Sequence, residues 1–487
     1  MKITRFLLLA LAAACATPAP PEIRDEAVVT RVLAGLRPAL VVKGAAPVTF
    51  SLAERMAKYK VPGVSVAVVN GGKLAWSRGF GLKTAGGSDS VTAMTLFQAA
   101  SISKPVAATV LLRLVQDGKL DLDRPVNEYL TSWKLPENNF TATEKVTLRR
   151  LASHAAGTTV HGFPGYAKGA AVPTVPQILD GAKPANTAAV RVDTTPGSRW
   201  RYSGGGITIE QLAMTDVTGE AFPELARRLV LEPVGMARST YAQPLPDDRR
   251  AEAASGHRPD GTMVTGRWHT YPEMAAAGLW TRPTELLQWA MAITAARAGT
   301  STAVLSQKMA TEMLTMQKEP SGIGPMLEKT GRAFRFQHGG ANEGYRAQLI
   351  YFPETGQGAA IMTNSDAGSS VVGELLLAIA AEYQWPEYGP REIETLPMDS
   401  ALVSQLVGEY PIPKEVTGTP TAVSQTITLE GGKLMTEVPG LVPKSEFLLL
   451  SGDRLIAPDA SLEVTLVRDK AGKVSGIDFG PVVLKRK

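Results

Sequence analysis

The sequence predicts an α+β fold in which one antiparallel sheet is assembled from the two ends of a long domain. Three observations predict it. Strand-like runs occur near residues 64–80 and again near 346–363, helical and loop-rich sequence lies between them, and the composition changes after a proline-rich stretch. Strands at both ends of a domain, with helices between them, are typical of this arrangement.

The 487-residue chain is too long for one ordinary domain, and its composition is that of a globular protein. Hydrophobic residues make up 44% of it and charged residues 20%. The net charge of +5 is mild and no run of like charge stands out. The charge pattern therefore argues against nucleic acid as a partner.

Residues 1–15 are typical of a signal peptide. Lys2 and Arg5 form a basic start, and residues 6–14 form an apolar core that is too short to span a bilayer. No later apolar run is long enough to cross a membrane. We therefore expect an exported, periplasmic protein.

The single cysteine, Cys15, follows this apolar core and resembles the lipidated cysteine of bacterial lipoproteins, although Ala12 stands where that signal prefers leucine. The alternative is an ordinary cleavage site near Thr17. A chain that has no other cysteine but keeps one here favours membrane attachment through a lipid on Cys15. In either case the mature fold has no disulfide. Residues 16–45 are expected to be a tether and N-terminal lead, because residues 16–21 are rich in proline and alanine.

The first part of domain 46–385 contains a helix signal, a hairpin signal and a second helix signal. Residues 50–59 carry apolar residues at helical spacing. The strand-like runs 64–69 and 74–80 are separated by Asn70-Gly71-Gly72, a strong hairpin signal. Residues 103–115 are mostly apolar, which predicts a buried helix over this range that Gly118 closes.

The rest of this domain is mixed and loop-rich until about residue 282. Pro283 suits the first turn of a helix that continues to about Arg297. Residues 346–352 and 359–363 are strand-like, and residues 370–383 predict an amphipathic helix.

Prolines mark residues 386–397 as a linker, and residues 398–487 predict a small β-barrel or β-sandwich domain. The tail contains short strand-like runs separated by glycine-containing turns. These runs are residues 426–429, 433–438, 447–450, 454–457, 462–467 and 474–479.

Ser101 and Lys104 are the first candidates for chemistry. Their spacing at a helix start puts both side chains on one face. A serine hydroxyl needs a base to take its proton, and a buried lysine can be that base because desolvation disfavours an ammonium. The N–H groups of a helix N-terminus can also stabilise an oxyanion. The alternative is a chance surface pair, since S-x-x-K is a common pattern.

The sequence around this pair resembles the serine β-lactamase-like family, which includes class C β-lactamases, penicillin-binding proteins, DD-peptidases, D-aminopeptidases and family VIII esterases. The resemblance covers about residues 50–385, and its motifs occur in the family's order. They are FQAASISKPVA (97–107), LASHAAG (151–157), PGSRWRYSG (196–204), EPVGM (232–236), AAGLW (276–280) and TNS (363–365).

The resemblance implies a sheet flanked by helices, with an all-helical and loop subdomain, and it implies that Ser101 is the nucleophile. It makes Tyr202 the second catalytic residue, which moves a proton together with Lys104. Tyrosine titrates near about 10, so it needs a nearby ammonium to be useful. A tyrosine packed in the core is the alternative.

By the same resemblance, His338-Gly339-Gly340 stands where β-lactamases usually have Lys-Thr-Gly. The two glycines would permit close approach of a substrate backbone. The N–H groups of Ser101 and Ala341 would form the oxyanion hole. His338 could bind a substrate carboxylate only when protonated, and so less reliably than lysine at neutral pH. The alternative is a histidine satisfied within a turn.

Gly204 is a departure from the family pattern. The second motif is usually Tyr-x-Asn, and the asparagine commonly holds the amide of the acylated substrate. Here glycine takes its place. The difference disfavours β-lactams and peptides as substrates and favours esters.

We therefore predict a serine hydrolase that acts through an acyl-serine intermediate on an ester or a D-amino-acid-containing amide or peptide, without a cofactor. The alternatives are a class C-type β-lactamase and a non-catalytic penicillin-binding sensor of the cell envelope. G-x-S-x-G and H-E-x-x-H are absent. No metal site is expected, because the five histidines have no ligand spacing. They are His154, His161, His257, His269 and His338.

The placement of Cys15 predicts that Cys15→Ser releases the protein from the membrane, because the substitution removes the atom that would carry the lipid. Fractionation of cells that express each protein, followed by immunoblotting, measures this release. If the unmutated protein is already soluble without detergent, or its mature N-terminus lies beyond residue 15, lipidation is ruled out.

Overall fold

The computed structural model describes residues 26–413, 423–439, 442–458, 462–480 and 482–487. The predicted signal peptide, Cys15 and the first part of the predicted tether lie outside these ranges. Within them, every helix falls short of the combined length and hydropathy that crossing a bilayer requires.

The α-helices of the described residues are mostly short and lie between and behind the strands. They are α1 (Glu26–Ala34), α2 (Leu52–Lys58), α3 (Ser103–Gln116), α4 (Leu148–Ala152), α5 (Val175–Asp180), α6 (Gly204–Thr218), α7 (Phe222–Ala226), α8 (Met274–Ala277), α9 (Pro283–Arg297), α10 (Gln307–Met313), α11 (Gly368–Glu382) and α12 (Ser400–Leu406).

The strands fall into two groups along the chain. Those before residue 400 are β1 (Leu40–Val42), β2 (Gly63–Asn70), β3 (Lys73–Gly81), β4 (Phe97–Gln98), β5 (Trp280–Thr281), β6 (Met326–Thr330), β7 (Ala333–Asn342), β8 (Tyr345–Phe352), β9 (Gln357–Thr363) and β10 (Arg391–Ile393). Those of the tail are β11 (Gly408–Ile412), β12 (Val423–Glu430), β13 (Lys433–Val438), β14 (Val442–Glu446), β15 (Leu448–Ser451), β16 (Arg454–Ala457), β17 (Leu462–Arg468), β18 (Val474–Asp478) and β19 (Val483–Leu484).

One six-stranded antiparallel sheet organises the larger part of the chain, in the order β3-β2-β9-β8-β7-β6. Its strands β2 and β3 come from the start of this part, and the other four come from its end. β2 pairs directly with β9 across this separation. The predicted α+β architecture, with a sheet closed by the two chain ends, is therefore confirmed.

The hairpin between β2 and β3 forms where the sequence predicted it. Asn70 pairs with Lys73, so that Gly71 and Gly72 alone make the loop. Both glycines have positive φ angles, +57° and +72°. Two-residue hairpin loops require this conformation, and glycine adopts it without steric cost.

The sheet is buried on both faces, which explains the continuous apolar sequence of β2. Val64, Val66 and Val68 face a core that β2 shares with α1, α2 and α11. Ala67 and Val69 face the larger core that contains α3, α6 and α9. Alternate residues of a strand point to opposite faces, and each face here has its own helical layer.

Helix α3 is buried as predicted and ends at Gln116, and Gly118, with a φ of +71°, closes it in the left-handed conformation typical of helix C-termini. Much of the region between β3 and β5 is loop, stabilised by short helices and isolated turns. This part of the chain contributes most of the larger core. Helices α3, α6 and α8 lie in this region and pack against one another.

The tail forms two antiparallel sheets, β11-β12-β13-β14 and β15-β16-β17-β18-β19, that share one apolar core. The predicted runs 433–438 and 454–457 coincide with β13 and β16. The strands β11, β14 and β19 and the helix α12 were not predicted.

Part of the predicted linker is ordered. Within residues 386–397, strand β10 pairs in parallel with β1 from the N-terminal lead. Just before it, Trp385 and Tyr388 pack on Phe352 at the end of β8, with ring centroids 5.3 and 6.5 Å away. These residues are therefore anchored to the sheet of the larger part of the chain.

We predict that a chain ending at Pro397 folds without the tail, because the tail core contains only residues beyond 397. Among the described residues, the truncation removes the backbone hydrogen bond from Leu396 to Leu449 and an exposed ion pair between Arg391 and Glu463. An exposed pair of this kind stabilises little. Calorimetry should show one cooperative transition near that of the full chain.

A chain ending at Pro390 is the matched control for this truncation. It also loses β10, and with it the pairing to β1. It should therefore unfold at a lower temperature than the chain ending at Pro397. Failure of both chains to fold would contradict the independence of the tail.

Candidate active site

Ser101 lies in a single turn of 3₁₀ helix, Ala100–Ile102, that leads directly into α3. Ala100 has a φ of +50°, in the left-handed region that residues with a Cβ rarely adopt. Ser103 stabilises this strained turn from both sides. Its Oγ donates to the Ala100 carbonyl at 2.5 Å and accepts the Leu279 N–H at 2.9 Å. The sequence analysis did not identify Ser103.

Lys104 is 3% exposed and points at the nucleophile. Its Nζ donates to Ser101 Oγ at 2.9 Å and to the Ala276 carbonyl oxygen, on α8, at 2.8 Å. Throughout the described ranges, no carboxylate lies within ion-pair distance of this ammonium. The structure therefore brings the predicted pair into contact, and both hydrogen-bond acceptors of the Lys104 Nζ are neutral oxygens.

Tyr202 stands beside Lys104, just before the N-cap of α6. The Lys104 Nζ is 5.0 Å from the centroid of the Tyr202 ring. In the part of the chain that the structure describes, no residue is hydrogen-bonded to the Tyr202 hydroxyl. Ser203, the N-cap, anchors this segment, since its Oγ accepts the Gly206 N–H at 2.9 Å and donates to the Thr159 carbonyl at 2.7 Å.

His154 fixes the position of Tyr202. Its carbonyl accepts the Arg201 N–H at 2.8 Å, and its Nδ1 accepts the Ser203 N–H at 3.3 Å. The rings of His154 and Tyr202 are in contact, with centroids 4.3 Å apart and planes tilted by 35°. His154, which the sequence placed only in the LASHAAG motif, is thus part of the site.

His338 is buried and neutral. Its Nδ1 donates to the Gly339 carbonyl at 2.7 Å, so that the proton sits on Nδ1. Burial, with the nearby charge of Lys104, lowers the pKa of His338 to about 3. The Nε2 atom has no partner among the described residues. At neutral pH His338 is therefore uncharged, and it offers no cation to a substrate carboxylate.

The same causes act on His154. Burial first, and then the charge of Lys104, hold the pKa of His154 well below its usual value. Both buried histidines are therefore uncharged at neutral pH, and Lys104 carries the positive charge at the centre of the site.

Gly340 packs on the backbone of the nucleophile turn. A Cβ at this position would lie 2.2 Å from the Ala99 carbonyl oxygen, so only glycine fits. The expected close approach is therefore made by the protein's own chain. A Cβ at Gly339 would lie 3.0 Å from the Gln348 Oε1 atom and 4.0 Å from the Ala347 carbonyl oxygen, which is ordinary contact distance.

Ala341 lies where β7 has a free edge. β6 pairs with β7 only as far as Gln337, and the residues beyond it border the cleft. Asn342 ties the end of this strand to the site, because its Nδ2 donates to Gln98 Oε1 at 2.8 Å and to the Ala277 carbonyl at 3.0 Å. Ala341 and Ser101 both line the cleft at this edge, as an oxyanion hole formed by their N–H groups would need.

Gly204 has a local steric reason for being glycine. A Cβ there would lie 3.0 Å from the Phe163 ring and 3.1 Å from the His161 carbonyl oxygen. The Gly204 N–H also donates to that carbonyl at 3.0 Å. The segment around His161 and Phe163 thus lies against this position, where asparagine would need displaced neighbours.

The site opens into a cleft of about 590 Å³ with one aromatic wall, formed by His161, Phe163, Trp200 and Tyr202. Across the described ranges, no group of three or more His, Cys, Asp or Glu side chains is placed to hold a metal ion. The cleft is lined by Ser101, His161, Gly162, Phe163, Trp200, Tyr202, Met326, His338, Gly339, Gly340, Ala341, Arg346, Ala347, Gln348 and Ser369.

Two buried acids lie away from this cleft and have no hydrogen-bond partner among the described residues, namely Glu210 on α6 and Glu273 before α8. Burial raises the pKa of each to about 8. Both are mostly protonated at neutral pH and add little negative charge near the site.

The sequence profile of the β-lactamase family matches residues 51–383, about two thirds of the chain. The chain belongs to the β-lactamase family. This match spans the sheet, α3 and the cleft, and the family membership confirms the resemblance found in the motifs.

Two curated relatives and one solved structure are similar to this β-lactamase-family protein. It is 25% identical to a D-aminopeptidase of Brucella anthropi over 331 residues, which are 66% of this chain and 60% of the relative. It is 26% identical to penicillin-binding protein 4 of Amycolatopsis lactamdurans over 382 residues, which are 72% of this chain and 94% of the relative.

The crystal structure of SurE has the same fold, with a TM-score of 0.55 at 23% identity, over 90% of this chain and 97% of that one. The alignment with the D-aminopeptidase spans only about three fifths of that relative's length. These comparisons show that the chain belongs to a hydrolase family and has its fold. They do not point to one activity, because one relative is named as a D-aminopeptidase and the other as a penicillin-binding protein.

We predict that Gly340→Ala lowers kcat/KM at least about 100-fold, because the added methyl must push β7 away from Ala99 and the nucleophile turn. Gly339→Ala is the matched control. Its methyl displaces only the flexible end of Gln348, so activity should change little. Hydrolysis of a p-nitrophenyl ester measures both. Equal effects of the two substitutions would contradict the proposed packing.

Proposed function

We propose that this β-lactamase-family protein hydrolyses esters and D-amino-acid-containing amides or peptides through an acyl-enzyme on Ser101. The observation that carries the proposal is the 2.9 Å contact between the buried Lys104 Nζ and Ser101 Oγ. A nucleophilic serine needs such a neighbour to take its proton, and chance surface pairs are not buried in this way.

In the proposed reaction, the Lys104 ammonium first gives up one proton to solvent, and its amine then takes the proton of Ser101 as Oγ attacks the substrate carbonyl carbon. The N–H groups of Ser101 and Ala341 stabilise the oxyanion. Tyr202 and Lys104 return the proton to the leaving alkoxide or amine as its bond to carbon breaks. A water then attacks the ester of Ser101, and the same groups reverse the transfer to release the acid.

The neutral state of His338 supports esters and D-amino-acid amides over β-lactams. A penicillin or cephalosporin carries a carboxylate beside its scissile ring, and a lysine in the third motif would pair with it. Here Nδ1 of His338 is committed to Gly339, and its low pKa keeps the ring uncharged. A missing charge-assisted hydrogen bond costs about 1.5–3 kcal/mol.

Gly204 supports the same preference. The asparagine amide that usually holds an acylated substrate is absent, and the His161 segment lies against the position instead. An ester needs less positioning than an amide, because an alkoxide leaves more easily than an amine. The relative named D-aminopeptidase supports D-amino-acid amides as the second class of substrate.

We also propose that the enzyme is exported to the periplasm, anchored by a lipid on Cys15. The proposal rests on the basic start, the apolar core and the single cysteine of the first 15 residues.

We predict that kcat/KM is at least about tenfold higher for a p-nitrophenyl ester than for a cephalosporin, because the neutral His338 gives the cephalosporin's carboxylate no charged partner. A D-alanyl p-nitroanilide should also be hydrolysed. Initial rates on the unmutated enzyme measure the order. A faster cephalosporin would identify the protein as a β-lactamase instead.

Ser101→Ala should abolish all three activities and the covalent adduct with a fluorophosphonate, as mass spectrometry can show. Ser198→Ala, at an exposed serine, is the matched control and should keep both. An adduct on another serine would contradict the mechanism. An adduct at Ser101 without turnover of any substrate would favour a penicillin-binding sensor.

A further inference from the structure

The catalytic cleft does not end at Ser101. A second cavity of about 250 Å³ adjoins it and shares four of its residues, Arg346, Ala347, Gln348 and Ser369. It continues between β8 and the first turns of α11, past Val372, Gly373 and Leu376. The two cavities together offer more length than a small ester or a single amino acid would fill.

The path between the cavities crosses the free edge of β7. Gly340 points toward Ser101, since a Cβ there would meet the nucleophile turn. Gly339 points to the opposite face, where Gln348 covers it. Because alternate residues of a strand share a face, Arg346 lies on the same face as Gln348. Gly339 and Ala341 have small side chains, so an extended substrate can pass over the edge between them.

Arg346 is the only formally charged residue that lines either cavity, in the part of the chain that the structure describes. Its Nη1 donates to the carbonyls of Asn342 at 2.8 Å and Tyr345 at 2.7 Å, and it pairs with Asp366 at 2.7 Å. The guanidinium is therefore held in place at one end.

The other edge of this guanidinium is open. No described residue accepts a hydrogen bond from its Nε or Nη2, and the side chain is 25% exposed. Nε and Nη2 carry the two parallel N–H donors that bind a carboxylate through both oxygens. Arg31 of this protein pairs with Glu382 through the same two atoms.

We propose that Arg346 determines specificity by binding a carboxylate on the extended part of the substrate, beyond the edge of β7. The inference rests on the proposed function and narrows its substrates to esters, amides or peptides that carry an acidic group distant from the scissile carbonyl. A carboxylate on the ring fused to a β-lactam would lie on the Ser101 side of β7, where Arg346 would not bind it.

A purely structural role for Arg346 is the alternative, since its Nη1 bonds stabilise the turn between β7 and β8. The two roles differ in what they change. A structural residue affects all substrates alike, whereas a binding residue affects only those with the carboxylate. The test therefore uses pairs of substrates that differ only in this group.

One pair is 4-carboxyphenyl acetate and 4-carbamoylphenyl acetate, with the group on the leaving side. The other pair is the p-nitrophenyl monoester of adipic acid and its terminal carboxamide, with the group on the acyl side. Arg346→Gln should lower the carboxylate-to-carboxamide ratio of kcat/KM about tenfold or more in at least one pair, whatever its effect on both members of a pair alike.

Ser369→Glu provides an independent arm, because it adds a negative charge to the shared wall and leaves the bonds of Arg346 to Asp366 intact. It should lower the same ratio, whereas its matched neutral control, Ser369→Gln, should not. Arg297→Gln, at an arginine outside both cavities, should change no ratio.

Unchanged ratios in both Arg346→Gln and Ser369→Glu, with neutral esters still hydrolysed, would overturn the inference and leave the proposed function standing. If Arg346→Gln does not fold, the Ser369 variants decide. If the unmutated enzyme hydrolyses none of the four esters, the proposed function itself is contradicted, and this inference with it.

Discussion

The site depends on one buried ammonium. Lys104 has no carboxylate partner in the described chain, and its charge is stabilised by Ser101 Oγ, the Ala276 carbonyl and the face of the Tyr202 ring. Burial of a charge without a counter-ion is costly, so the two hydrogen-bond acceptors must be held firmly. That requirement explains why α3, α8 and the nucleophile turn pack together, and why Ser103 is bonded on both sides of the strained turn.

The electrostatics of the surrounding residues follow from the same ammonium. A second cation nearby would raise the cost further, and both buried histidines are neutral for this reason as well as through desolvation. Each has one ring nitrogen committed to a backbone group and one without a partner. The cleft thus concentrates its positive charge at Lys104, and Arg346 provides a second positive charge only on the far side of β7.

Much of the site could be predicted from local sequence, because its signals are local. Spacing along one helix predicted the contact of Ser101 with Lys104, and a two-glycine loop predicted the β2–β3 hairpin. The neutrality of His338 could not be predicted, because it arises from burial and from one bond to Gly339. Arg346 was missed because nothing in a sequence tells which face of a strand borders a cleft.

The tail, too, was predicted from the sequence only in part. The sequence predicted strands β12, β13, β16, β17 and β18 approximately, because they are short strand-like runs separated by glycine-containing turns. Strands β11 and β14 each contain a proline, which disfavours a strand assignment. Both are outer strands of their sheet, where a missing N–H donor is tolerated. The pairing of β1 with β10 involves three residues on each side and has no sequence signal of its own.

The activation of Ser101 by Lys104 is tested most directly by the second-order rate constant for phosphonylation of Ser101 in the unmutated protein and in Lys104→Met. Methionine keeps much of the length and apolar stem of lysine but cannot take a proton. We expect the variant to fold, as circular dichroism would show, and to react roughly 10²–10⁴-fold more slowly at neutral pH. Reaction of a folded Lys104→Met protein within a few-fold of the unmutated rate would contradict the account.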